Sequence, residues 1–314
     1  MMRRRLARFC LFWLALTSAH AAGPTLGGCP VFPEDHYWNT PVDKLPLHPK
    51  STDYLISIGP SAPLHPDFGS GTYRGIEPGI PFIVVPPTQP KISIRLVSPE
   101  SDAGPYPIPG NALIEGGPAA QGDRHVLILQ SGECKLYELF WTKRSEEGEW
   151  SASSGAIFDL RGYGLRPSGW TSADAAGLAI LPGLVRYEEV AAGSIPHALR
   201  FTARATQRAF VWPARHHASR NKNEDLPPMG IRVRLRSSFR LNGYPLQARV
   251  ILEALKKYGM VLADNGSPWF ISGSPSPHWD NEQLRTLRRL SGADFEVVDT
   301  APLMLSADSA RTKR

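Results

Sequence analysis

Apolar residues in this chain come in short runs interrupted by glycine and proline, the pattern of strands joined by tight turns. Residues 81–85 form one such run, and residues 92–97 alternate apolar and polar with the period of a half-buried strand. Residues 125–130 and 135–141 flank Ser131-Gly132-Glu133-Cys134 and predict the clearest β-hairpin. Further strands are predicted at 156–160, 198–202, 209–212, 231–235, 260–264 and 269–272. Helical periodicity appears late. Residues 245–258 carry strong helix formers, an apolar stripe through Val250, Ile251, Ala254 and Leu255, and Gly259 as a C-cap. A second helix is predicted over 281–290, with Asp280 as its N-cap. The sum is a mainly β, single-domain antiparallel sandwich or barrel, jelly-roll-like, with two helices near the C-terminus. It spans 22–305 and is followed by a polar tail at 306–314.

The first residues read differently. Arg3, Arg4, Arg5 and Arg8 precede an apolar run at 9–16 and the small residues around Ala19-His20-Ala21, the layout of a signal peptide over 1–21 cleaved after Ala21. A bilayer span needs about 20 apolar residues, more than this run supplies. No later segment is a better candidate, so the expectation is a secreted or periplasmic protein without a transmembrane segment. Two other processing events have weaker patterns. Leu26-Gly27-Gly28-Cys29 loosely resembles a lipoprotein box that would lipidate Cys29, and cleavage after Ala19 would expose His20 as an N-terminal copper ligand.

Charge and cysteine content narrow the partners. Removing the four leader arginines and no acids from the formal +6 leaves +2, which gives no general case for nucleic-acid binding. Basic clusters at 215–222 and at Arg285, Arg288 and Arg289 read as solvated faces. Cys10 leaves with the leader, and Cys29 and Cys134 are expected to form one disulfide in an oxidising compartment. That bridge would close a loop of about 105 residues, worth about 4 to 5 kcal/mol in the chain-entropy model. So few thiols without paired spacing call for no metal site, and nothing calls for a cofactor.

Several phrases stand out together: Cys29-Pro30-Val31-Phe32-Pro33, Trp38-Asn39-Thr40-Pro41-Val42-Asp43, Gly122-Asp123-Arg124-His125-Val126-Leu127, Gly169-Trp170-Thr171-Ser172-Ala173-Asp174 and Ala263-Asp264-Asn265-Gly266-Ser267. They resemble a group of secreted bacterial proteins of about this length. The likeness covers nearly the whole mature chain, implies a single exported domain, and transfers no catalytic residue.

Familiar catalytic signatures are missing. The chain has no G-x-S-x-G elbow, no H-E-x-x-H pair, no phosphate-binding G-x-x-x-x-G-K-[ST] and no convincing dinucleotide fingerprint. What remains is carboxylates and histidines beside eight tryptophans, the material of a site that handles sugars. Glu115 sits between an apolar stretch and Gly116-Gly117, so it reads either as a projecting carboxylate or as a charged turn residue. Asp123 and His125, two apart, point to one strand face and form a candidate acid–base pair. The alternative is a turn aspartate beside a structural histidine. Glu138, among Tyr137, Leu139 and Phe140, has either the raised pKa of a glycosidase acid or a wet strand face. Asp159 reads as paired with Arg161, Asp174 as a helix start or turn, Glu188 and Glu189 as surface charges, His197 as structural and Asp264 as turn chemistry.

These residues predict an exported carbohydrate-active enzyme, a glycoside hydrolase with Glu115 and Glu138 as its pair and Asp123 with His125 in support. Trp141, Trp170 and Trp212 would stack on sugar rings, and Arg200 and His216 would bind the polysaccharide. The alternatives are a non-catalytic glycan-binding or envelope protein, and a lyase with His125, His197, His216 or Tyr137 as its base.

Overall fold

The computed structural model describes residues 23–313, so the predicted signal segment, with Cys10 and His20, lies outside the described residues. Ten strands build two large sheets: β1 (His65–Asp67), β2 (Phe82–Val85), β3 (Val126–Gln130), β4 (Lys135–Phe140), β5 (Ser154–Asp159), β6 (Leu199–Ala203), β7 (Arg232–Leu235), β8 (Met260–Asn265), β9 (Phe270–Ser272) and β10 (Phe295–Val298). The four-stranded sheet runs β5-β4-β3-β2 and the six-stranded sheet β10-β7-β8-β6-β9-β1. A three-stranded sheet of Arg95–Leu96, Trp150–Ala152 and Lys143–Arg144 and two short strand pairs complete the β content.

The protein is therefore mainly strand with few helices, and no sheet among the described residues closes into a barrel. The expected antiparallel, jelly-roll-like order is replaced by mixed sheets, because β2/β3, β6/β8 and β9/β1 pair in parallel. Such pairings join segments far apart in sequence, and local periodicity carries no sign of their direction. The hairpin β3–β4 forms in the expected place. Residues 209–212 do not form a strand, and only a single bridge joins Phe210 to Met229.

Four α-helices are present among the described residues where two were expected: α1 (Ser51–Ile58), α2 (Tyr187–Ala191), α3 (Leu246–Lys257) and α4 (Asn281–Arg285). The stripe read in the sequence buries Val250, Ile251, Ala254 and Leu255 of α3. Asp280 caps α4 by accepting from the amides of Glu282 and Gln283, and the remainder of the predicted second helix is a 3-10 turn at Thr286–Arg289. The C-terminal residues read as a tail fold instead as a hairpin, Met304–Ser306 with Ser309–Thr312, that buries Ala310.

The apolar interior has two main parts. The larger gathers Leu127, Leu129 and Leu136 from one face of the four-stranded sheet with Phe201, Val233, Leu262, Trp269 and the inner faces of α1 and α3. The smaller lies against the opposite face, where Val126, Ile128, Tyr137 and Leu139 meet Tyr106, Ile108 and Trp150. Cys29 and Cys134 are disulfide-bonded, which ties the N-terminal arm to the β3–β4 turn as expected. No helix among the described residues is long and apolar enough to cross a membrane.

Candidate active site

The register of the six-stranded sheet builds a polar row. Asp67 on β1 lies opposite Ser272 on β9. Residues 201 and 202 of β6 lie opposite 271 and 270 of β9, which carries the row on to Arg200. Arg200 Nη1 donates to Ser272 Oγ at 2.7 Å. On its other side β6 pairs in parallel with β8, and the register slips by one residue: Phe201 faces Leu262, whereas Thr202 faces Asp264. This bulge at Ala263 decides the chemistry. Side chains alternate along a strand, so without the extra residue Asp264 would point to the face away from Arg200; with it, both share one face. Arg200 Nη2 lies 3.9 Å from Asp264 Oδ2 and 3.5 Å from Asp174 Oδ2.

Asp174 comes from a loop that bridges the two large sheets. The Ala176 amide donates to the carbonyl of the bulged Ala263 at 2.9 Å. Ser172 Oγ donates to the Leu178 carbonyl at 2.6 Å, and Ser154 Oγ on β5 donates to the Ser172 carbonyl at 2.8 Å. Gly177 has a positive φ, and a Cβ there would fall 2.5 Å from the Trp170 carbonyl, so the sharp return of this loop requires glycine. The result is a fully buried Asp174 side chain whose Oδ2 has no hydrogen-bond partner among the described residues; Arg200 Nε is in the same condition. Buried polar atoms are almost always satisfied, so two together in one place make this a candidate site.

The four-stranded sheet supplies the opposite wall. His125, just before β3, is buried, with Nδ1 2.6 Å from Glu115 Oε2 and Nε2 3.0 Å from the Ala173 carbonyl. Burial alone would lower the imidazole pKa, but the Glu115 hydrogen bond and charge win and raise it to about 9. His125 is thus an imidazolium that donates from both nitrogens. Partial burial works against the Glu115 charge, yet the His125 hydrogen bond and charge, with Arg200 behind them, hold its carboxyl below the ordinary range. Asp264 moves the opposite way: its partial burial outweighs Arg200 and the Asn265 amide and pushes it up. Burial likewise raises Asp174, against the pull of Arg200.

Glu138, expected to pair with Glu115, is engaged by backbone amides and lies within electrostatic reach of Arg200. Glu138 faces the larger core from β4, fully buried, and both its oxygens accept backbone amides of Ile180 and Leu181 at 2.9–3.0 Å. It anchors the 180–181 turn, and burial lifts its pKa to about 7. Asp123 is exposed beside Trp141, whose amide donates to the Asp123 carbonyl at 2.7 Å. Trp141 is 48% exposed, with the Lys143 ammonium 4.3 Å from its ring centroid. Arg200, read as a sugar ligand, is instead the buried centre of the cluster.

The other aromatic and histidine candidates have partners within the fold. Trp170 packs under Arg166, and Trp212 packs edge-on to Tyr37 and donates its indole N–H to the Ser309 carbonyl. His216 holds the Asp174 loop from outside through its contact with the Ala175 carbonyl at 2.8 Å. Glu189, read as a surface charge, is partly buried and pairs with Arg186 and His197. Asp159 caps its own turn through the Arg161 amide.

Sequence reasoning missed Asp67 and Ser272 and gave Asp174 and Asp264 to turns. The signal that could have found Asp264 was the apolar stretch 260–263 ending abruptly in an acid, a strand-end carboxylate. Beside Glu115, a cavity of about 440 Å³ opens between the 72–79 and 112–118 segments, lined among others by Thr72, Glu77, Leu113, Ile114 and Gly116. Among the described residues no group of three or more His, Cys, Asp or Glu has an arrangement able to hold a metal ion. Compared with known proteins, the chain matches no family model, no curated protein and no solved structure.

Proposed function

We propose that this chain is an exported carbohydrate-active hydrolase that cuts a polysaccharide by carboxylate acid/base chemistry at the acidic cluster around Arg200. The observation that carries the reading is the divergence of two reachable carboxylates around one buried guanidinium. Glu115 is held ionised by His125, whereas Asp264 is pushed towards its neutral form. Carboxyl groups driven apart in this way take opposite roles in proton transfer. Asp264 then protonates the glycosidic oxygen, and Glu115 acts as base or nucleophile according to whether the pair stands at the wide or the narrow spacing of glycosidases, about 6.5–9.5 Å or about 5 Å. Arg200, Asp174 and His125 are positioning residues. Trp141 beside Asp123 offers an indole face to a sugar ring.

The mainly β body and a disulfide suited to an oxidising compartment support this reading, and a signal segment at 1–21 would deliver the protein there. A lyase has less support. It needs an available base and a cation facing the uronate, and here both nitrogens of His125 are engaged and Arg200 lies behind two carboxylates.

The test is a polysaccharide panel assayed for reducing ends with wild type, Glu115→Gln and Asp264→Asn. Each substitution should lower the rate by about 10²–10⁴-fold while the protein stays folded. Activity that survives both removes the pair, an unsaturated product replaces the hydrolase with a lyase, and binding without cleavage leaves a glycan-binding protein.

A further inference from the structure

Segment 69–79 separates two cavities. One is the cavity beside Glu115. The other, of about 360 Å³, is lined among others by His65, Arg285 and Arg288, and Thr72 lines both. Its size falls within the range of about 300–1,000 Å³ typical of small-ligand sites. Strand β1 leads from it to the acidic cluster. His65 lies opposite Phe270 of β9, and Asp67, about 7 Å further along, lies opposite Ser272, which accepts from Arg200.

The polar groups of this second cavity are donors. Arg288 Nη2 donates to His65 Nδ1 at 2.8 Å, and since a guanidinium cannot accept, the imidazole hydrogen sits on Nε2. Phe270 stacks on the ring with centroids 4.0 Å apart and fixes its plane. Burial, and then the Arg288 charge, lower the His65 pKa to about 4, which keeps the ring a neutral donor. Among the described residues the Nε2–H and the other N–H groups of Arg288 have no partner, and Arg288 makes no ion pair. Arg285 pairs with Glu282, but both side chains are more than half exposed, so another carboxylate can compete for the guanidinium. Two guanidiniums against one carboxylate leave the lining with a single net positive charge. That matches a carboxylate better than a phosphate ester, which carries about −1.5 to −2. Tyr73, 70% exposed, and Pro66 and Pro78 add apolar wall for the face of a sugar ring.

We infer that this cavity binds a uronate residue, with the carboxylate held by Arg288 and the His65 Nε2–H and the sugar ring against Tyr73. The inference deepens the hydrolase reading by giving its polysaccharide acidic sugars. It rests on that reading for the rest of the polymer, which would continue past Thr72 to the cavity beside Glu115, whereas binding of the uronate stands or falls apart from cleavage.

The test measures binding by isothermal titration and reducing-end release on the same full-length preparation at about pH 7. The probes are galacturonate oligomers, galactose oligomers of equal length and a glutamate oligopeptide of equal charge. At low salt the galacturonate oligomer should bind wild type about tenfold more tightly than the galactose oligomer, with the gap narrowing as salt rises. Arg288→Gln, an exposed position, should remove most of that preference and leave galactose binding unchanged; Arg288→Lys should restore only part, because an ammonium lacks the planar fork. Glu282→Gln frees Arg285 and should tighten galacturonate binding about two- to threefold, a gain that damage to the fold cannot imitate. Galactose binding as tight as galacturonate binding, or a preference indifferent to Arg288→Gln, overturns the inference. So does the glutamate peptide binding as tightly as the uronate, since the cavity would then read charge without a sugar. Galacturonate oligomers that bind with the expected preference while no glycan is cut uphold the inference and remove the hydrolase reading; glycans cut with no preference for the uronate in binding do the reverse.

Discussion

The two faces of the four-stranded sheet are made from the same two strands and have opposite contents. On one, Val126, Ile128, Tyr137 and Leu139 meet Tyr106, Ile108 and Trp150, and the two tyrosine hydroxyls there donate to the Asp102 carbonyl and to Gln130. On the other, Leu127, Leu129 and Leu136 are apolar, but Glu138 and then His125 mark its end, where loops from both sheets converge. Alternation along a strand sorts side chains between faces; it cannot sort apolar from charged along one face. That second sorting is done by what comes opposite: backbone amides at 180–181 for Glu138, Glu115 and a carbonyl for His125. One face is therefore held by apolar area, and the other by apolar area with a few charges in fixed geometry at its end.

The strongest way to break this contrast is Arg200→Met. It keeps apolar volume and removes the only cation within 4 Å of Asp174 among the described residues, so the buried acid must stay neutral or unfold its loop. We expect a loss of about 3–5 kcal/mol in urea unfolding, steepest at alkaline pH. A loss below about 1 kcal/mol would mean that both acids are already neutral and that the cluster is not held by charge.

Next in size is the pH dependence of His125. Its folded pKa is raised to about 9 from an ordinary 6.5, so its contribution is fully present below about 6.5 and is lost as pH rises through about 9. The change is on the order of 3 kcal/mol between those limits. His125→Gln should flatten the urea midpoint across that window, and a midpoint that stays level in wild type would show that the imidazole is neutral. Ile128→Val on the opposite face makes the matching probe. Removing one buried methylene there should cost about 1 kcal/mol, and the cost should be the same at pH 6 and pH 9.

The same contrast governs how much could be read from the chain. The β3–β4 hairpin, α3 and the disulfide follow from local pattern or from simple counting, because each rests on periodicity, a turn or a pair of thiols. Helix α1 did not, since Ser51–Ile58 contains Thr52 and two isoleucines, and Lys50 at its N-cap makes no side-chain cap bond. The candidate site was legible as to Glu115 and His125, which lie ten residues apart. Asp264 was not, because its direction depends on a one-residue bulge against a strand some sixty positions away. Asp67 depends on a parallel pairing with Ser272 that no local alternation encodes.

The smallest expected effect on stability separates two tryptophans at the edges of the two faces. Trp150 is buried in the smaller core and packs with Arg144 over its ring, so truncating it removes apolar contact from both sides. Trp141 follows the last residue of β4 and stands nearly half exposed beside Asp123, with one ring face under the Lys143 ammonium. Its backbone has a positive φ of 51°, a conformation that costs an alanine as much as a tryptophan, so Trp141→Ala neither relieves nor adds strain. We expect that substitution to change unfolding free energy by no more than about 0.5 kcal/mol. If the indole stacks on a sugar beside Asp123, the same variant should lose about two- to tenfold in oligosaccharide affinity, the range of an aromatic contact worth about 0.5–1.5 kcal/mol. Isothermal titration beside urea unfolding reads both quantities on one preparation. Affinity unchanged with stability unchanged would leave the exposed indole outside the binding surface and move the search for stacking to the cavity beside Glu115.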